Sequence, residues 1–326
     1  MGILDLIRTK SITWTYVEFP PDRTPTGLMR DPILPNQYYM TATMRSCRID
    51  DVRILFTKFF GTVHSYSELQ SGMGDIAQLQ SVTTPSKFQD ADPDNLDRSL
   101  QMDIPLLGPV PFVGGNFMIQ VGLFAMKENE LSGPYLDLLQ TVAGKAGISF
   151  LSQAVPLAQT ILGGMDKIVS TSAGGLQIGL YRGWVMPETP VQGYYGIIAA
   201  PTDTVDTSKI GIDNAERIVD WQSRQEIDKP YIVFTLERFT GRSDWKQIPD
   251  VKTAYAKLVD AERTSDKAKI SDAFTSFKVM VATCQDLLPN DRTIIITATK
   301  AEVDSFLNQL PSSTARILDL HSFDPF

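Results

Sequence analysis

Alternation of apolar and polar residues is sharpest in SITWTYVEF, where Ile12, Trp14 and Tyr16 fall on one side and Thr13, Thr15 and Val17 on the other. This is the period of a half-buried strand. Prolines at 20, 21, 25, 32 and 35 then predict an extended surface crossing up to about residue 36. YYMTATMRSCRI and VRILFTKFFG are short and rich in β-branched and aromatic residues, and both read as strands. Residues 63 to 116 become polar and turn-rich and end in DIPLLGPVPFVGGNF, where prolines and glycines interrupt the apolar run; the whole stretch reads as loop. NFMIQVGLFAMK is apolar on both faces, the pattern of a central strand covered on each side.

The expected cover is a helix over SGPYLDLLQTVAGKAG, with Ser132 as cap, Pro134 in the first turn and Gly147 as terminator. A second helix, ISFLSQAVPLAQTILGGMDKIV, repeats apolar residues at helical spacing although Pro156 and Gly163-Gly164 interrupt it. Together they form a helical insertion over about 132–170. GLQIGLYRGW, GYYGIIAAP and PYIVFTLERF read as strands, and DNAERIVDWQS as a short helix before the last of them.

The final segment changes period. Val251, Ala254, Tyr255, Leu258 and Val259 form one helical stripe, and Ile270, Ala273, Phe274, Phe277, Val281 and Cys284 another, which predicts a helical hairpin. TIIITA reads as a buried strand. Thr299 and Glu302 form a capping box before Val303, Phe306, Leu307 and Leu310, and ARILDL closes a small βαβ unit. The expected fold class is α+β: an antiparallel β-sandwich-like domain with inserted helices over 1–245, then a small helical hairpin plus βαβ region over 246–326.

Composition narrows the function. The chain has 326 residues, a formal net charge of −8 and an isoelectric point near 4.9. Such a field repels a phosphate backbone, and no basic patch offsets it, so no nucleic-acid partner is expected. Cys47 and Cys284 are the only cysteines, too few for a disulfide framework, which favours a reducing compartment. MGILDLIRTK carries Asp5 where a secretory leader has basic residues, Leu6 breaks the myristoylation pattern, and no apolar run reaches the length of a membrane span. A cytoplasmic protein is expected.

Candidate chemistry is sparse. In QDADPDNLDR, Asp90, Asp92 and Asp94 stand at positions 1, 3 and 5 of a calcium loop. Asn95 replaces the turn glycine, Arg98 intrudes and Gln101 occupies the twelfth position. A calcium site therefore needs further carboxylates, for which Asp50 and Asp51 are the candidates; otherwise Asp94 or Asn95 caps a short helix. Two Cys/His pairs, Cys47 with His64 and Cys284 with His321, are the available nucleophile–base combinations, and structural thiols are the simpler account of both. Serine-nucleophile, zinc and phosphate-loop motifs are absent.

These observations point away from an enzyme and toward a non-catalytic intracellular scaffold or adaptor. It would dock other proteins through exposed strand edges and the proline-rich arm at 19–36, as part of a larger assembly. The alternative is a membrane-associating module, acting through calcium at 90–97 or by inserting the Gly- and Ala-rich 148–169 helix at a membrane surface. A further alternative is a hydrolase with a carboxylate site between the two regions.

Overall fold

The computed structural model describes residues 2–11, 13–48, 53–54, 57–70, 76–82, 100–127, 166, 176–185 and 187–310. The chain divides into two compact units, 1–240 and 241–326. Among the described residues the fold is α+β, with antiparallel sheets in the first unit and helices in the second.

The first unit is built from two sheets. One contains β1 (Thr15–Phe19), β2 (Tyr39–Arg48), β6 (Leu100–Pro111), β9 (Gly193–Ile198) and β12 (Tyr231–Phe239) in the order β1-β9-β12-β2-β6. The other contains β3 (Arg53–Ile54), β4 (Thr57–Gln70), β5 (Ile76–Val82), β7 (Phe117–Lys127) and β8 (Leu176–Trp184); β7 lies between β4 and β8, and β3 and β5 pair with β4. All of these pairings are antiparallel.

Alternation along each strand fixes what faces what. In β7, Phe117, Ile119, Val121 and Leu123 join Val63 and Leu69 of β4 in a core that also holds Met40, Met44, Ile104, Ile232, Phe234 and Leu236 from the first sheet. The hydroxyl of Ser65, on the same face of β4, donates to the Leu106 carbonyl of β6 at 3.2 Å. These inward faces make the sandwich. On the outer face of the first sheet, Val17, Phe19, Tyr194, Ile198, Tyr231 and Val233 pack under a hairpin of β10 (Ile210–Ile212) and β11 (Ile218–Asp220).

A helix absent from the sequence expectation packs against β7 and β8. α1 (Ile3–Ser11) packs there with Ile3 and Ile7 fully buried and Arg8 over the Tyr181 ring at 5.2 Å. Its N-terminus is held from far along the chain: the Ile3 N–H donates to the Asp166 carboxylate at 2.7 Å. A carboxylate there offsets both an unpaired amide and the positive end of the helix dipole. The helices expected over 132–147 and 148–169 lie outside the described residues, Asp166 excepted.

Three further expectations change. The stretch from 63 to 116 holds the long strand β4, β5 and β6 rather than loop. Pro105, Pro109 and Pro111 are accommodated because β6 is an edge strand with three register irregularities against β2, where a missing N–H costs no ladder bond. DNAERIVDWQS forms the turn and second strand of the β10–β11 hairpin, not a helix. Its turn is specified by Asp213, whose Oδ1 accepts from the N–H groups of Ala215 and Arg217, both at 2.9 Å.

Close packing under that hairpin makes one glycine indispensable. A Cβ added at Gly211 would stand 2.4 Å from Cε3 of Trp221 and 3.1 Å from Cβ of Arg23. Gly211→Ala is expected to cost roughly 1–3 kcal/mol through displacement of the indole. Thermal denaturation checks this, and an unchanged melting temperature would mean that Trp221 is not seated as described.

The second unit consists of α2 (Pro249–Arg263), α3 (Lys267–Thr283) and α4 (Pro289–Gln309). The first two are the predicted hairpin, with Val251, Leu258, Ile270, Phe277 and Val281 buried. Asp266 caps α3 by accepting from the Ala268 and Lys269 N–H groups at 3.0 and 3.3 Å. The βαβ expectation fails at its first strand, because TIIITA lies inside α4. Ile295, Thr299 and Val303 are buried at intervals of four, so Thr299 is a helix-interior residue and not a cap. ARILDL lies outside the described residues.

Candidate functional site

Asp50, Asp51, Asp90, Asp92, Asp94 and His321 all lie outside the described residues. Among the described residues no three His, Cys, Asp or Glu side chains are gathered to hold a metal ion, and no helix is long and apolar enough to cross a membrane. Cys47 sits in the sandwich core, where burial pushes its thiol up to about 12. His64 is buried on β4 between Val63 and Ser65, and so points to the opposite face of its sheet. Cys47 and His64 are therefore not brought together. Cys284 is buried among the helices, and its thiol is pushed up to about 11, chiefly by burial. Neither sulfur has the thiolate character that nucleophilic chemistry requires.

A different feature stands out at one end of the sandwich. The register places Phe239 opposite Tyr39 and Tyr39 opposite Pro111, and β7 begins with Phe117 opposite Trp184. The segments 20–38, 112–116 and 185–192 therefore emerge at the same end. Four of the six large hydrophobic residues exposed among the described ones belong there: Met29 at 62%, Val185 at 61%, Phe239 at 43% and Leu34 at 37%. Exposed apolar side chains scattered singly need no explanation, but their concentration on one set of loops does.

The proline-rich arm carrying Met29 and Leu34 is pinned. Ile33 is fully buried, and its N–H donates to the Pro190 carbonyl at 2.8 Å. The Gln192 N–H donates to the Asp31 carbonyl at 2.9 Å, and Pro32 bridges to Val191. Arg238 reaches back from β12, donating to the Asp31 carboxylate and the Pro32 carbonyl, each at 2.9 Å, while lying over the Tyr38 ring. Asn36, in the left-handed region with φ 58°, donates its N–H to the Phe112 carbonyl at 2.7 Å. The adjoining turn needs glycine at 114 and 115, with φ of 100° and 82°. Both exposed side chains are thus presented on backbone that is already ordered, which lowers the entropic cost of binding.

Beneath this end lies an aromatic stack that closes the side of the sandwich between β1 and β8. Trp184 stacks on Phe117 with centroids 5.1 Å apart and meets Tyr195 edge-on at 5.9 Å; Tyr195 stacks on Phe234 at 5.2 Å. The Arg182 guanidinium lies over both Tyr16 and Trp184, at 5.4 and 5.0 Å, and pairs with Glu188. Arg30 lies over Tyr195 and pairs with Glu18. Burial raises the Tyr16 and Tyr195 phenols well above their ordinary range, so both stay neutral and serve as packing surface.

A polar group occupies the outer face of the first sheet. At a bulge in β2, Arg45 donates from Nε to the Thr235 hydroxyl at 3.0 Å and pairs with Asp103 at 2.8 Å and Glu237 at 2.5 Å. Glu216, in the β10–β11 turn with φ 59°, accepts from the Tyr194 hydroxyl at 3.1 Å, and its carbonyl accepts from the Ser46 hydroxyl. Burial, more than neighbouring charge, raises the pKa of its carboxyl. A carboxyl raised on folding leaves stability intact below its unfolded value, near 4.5, and takes stability away as pH rises through the folded value. Glu216→Gln, which keeps the tyrosine bond, is expected to raise the melting temperature by roughly 1–3 °C at pH 7, with the gain vanishing toward pH 4. A gain that persisted at low pH would refute the electrostatic cause.

Sequence reasoning named the arm at 19–36 but missed Val185, Phe239 and Glu216, which lack any motif. The one available signal was a large apolar residue directly after a strand's alternating run, as Val185 follows Trp184. No protein family, curated protein or solved structure matches the chain, so its function must be argued from these residues alone.

Proposed function

We propose that this protein is a non-catalytic scaffold or adaptor of the cytoplasm, one component of a larger assembly, which docks other proteins through the loop end of its sandwich. The observation that carries this reading is the grouping of Met29, Leu34, Val185 and Phe239 around a pinned arm. Loops on a rigid sheet scaffold are a common place for binding surfaces, and apolar side chains presented without ordering cost are good anchors. Two free, buried cysteines fit a reducing setting.

The test is recovery of partners from the native cell by affinity purification and mass spectrometry, comparing the natural protein with Met29→Asp/Leu34→Asp. Both positions are exposed, so folding stability should move by no more than about 1 kcal/mol in total. Loss of two apolar anchors should lower recovery of a true partner by about tenfold or more. Undiminished recovery of every partner from the double variant would remove the docking surface from this end.

A further inference from the structure

We draw no further inference here: the strongest candidate, the Glu216 carboxylate beside Arg45, Asp103 and Glu237 on the outer face of the first sheet, is an acidic cluster whose one buried oxygen without a hydrogen-bond partner among the described residues belongs to a half-buried side chain, and nothing else at the cluster points to a ligand.

Discussion

Arg242→Ala is expected to unfold the helical unit at a temperature at least about 6 °C below the natural protein. The guanidinium has only 1% of its side-chain surface exposed and holds Asp244 through two bonds, Nε to Oδ1 at 2.6 Å and Nη2 to Oδ2 at 3.1 Å. Its Nη1 reaches the Asp286 carbonyl at 3.5 Å, and its backbone N–H donates to Asp291 in the first turn of α4 at 3.1 Å. Asp286 and Asp291 are themselves buried. The guanidinium thus ties the chain entering the unit to the α3–α4 connection, and the backbone amide of the same residue ties it to the start of α4.

Deleting the arginine leaves the Asp244 carboxylate, about one third exposed, without its fork of hydrogen bonds and takes a donor from the Asp286 carbonyl, at a cost of about 1.5–3 kcal/mol. For a unit of this size each kcal/mol moves the midpoint by about 4–8 °C. Arg242→Lys keeps the charge but loses the planar fork, so it should fall between the two. Hydrogen exchange resolved to peptides of 249–309, followed against temperature, reads this unit apart from the sandwich. If the alanine variant protected those helices as well as the natural chain does, the arginine would not be what holds them.

The helical unit also shows where sequence patterning works and where it is overridden. The stripes on α2 and α3 were legible because each combines a strict 3.6 period with turn chemistry, Ser265 in the left-handed region and Asp266 as cap. TIIITA misleads because five β-branched side chains in six favour a strand locally, by tenths of a kcal/mol each, whereas burial of one face decides the outcome. The buried positions Asp291, Ile295, Thr299 and Val303 recur every four residues. Two of the four are polar, so no apolar stripe announced the first half of the helix, whereas Val303, Phe306 and Leu307 marked the second.

In the sandwich the same competition runs the other way. Ile210–Ile212 and Ile218–Asp220 were obscured by the polar DNAER between them, which is a turn held by Asp213 and not a helix start. β6 was hidden by its prolines, since edge position is a tertiary property that no local window contains. α1 is short and amphipathic, and its N-terminal partner Asp166 is 163 residues away. Beyond the arm at 19–36, the exposed apolar end was not read, because exposure is set by what the rest of the chain leaves uncovered.

Trp184→Ala should be the most damaging single change in the sandwich, at about 3–5 kcal/mol. The indole is 2% exposed and lies at the last position of β8, which among the described strands pairs with β7 alone within its sheet. Its stabilisation therefore comes from the ring contacts to Phe117 of its own sheet and Tyr195 of the facing one, with Arg182 over its face. Truncation opens a cavity between the sheets and also removes one of the two faces on which Arg182 rests, leaving that cation over Tyr16 alone. Trp184→Phe keeps an aromatic face toward Phe117 and Arg182 and should recover more than half of the loss. Because Val185 follows directly and the arm pairs with the segment 190–192 just beyond it, the alanine variant should also weaken partner recovery, although it alters no exposed side chain. Chemical denaturation with intrinsic fluorescence measures the first effect and affinity purification the second. An alanine variant within about 1 kcal/mol of the natural protein would show that the sheets are held without this stack, and that the loop end does not depend on it.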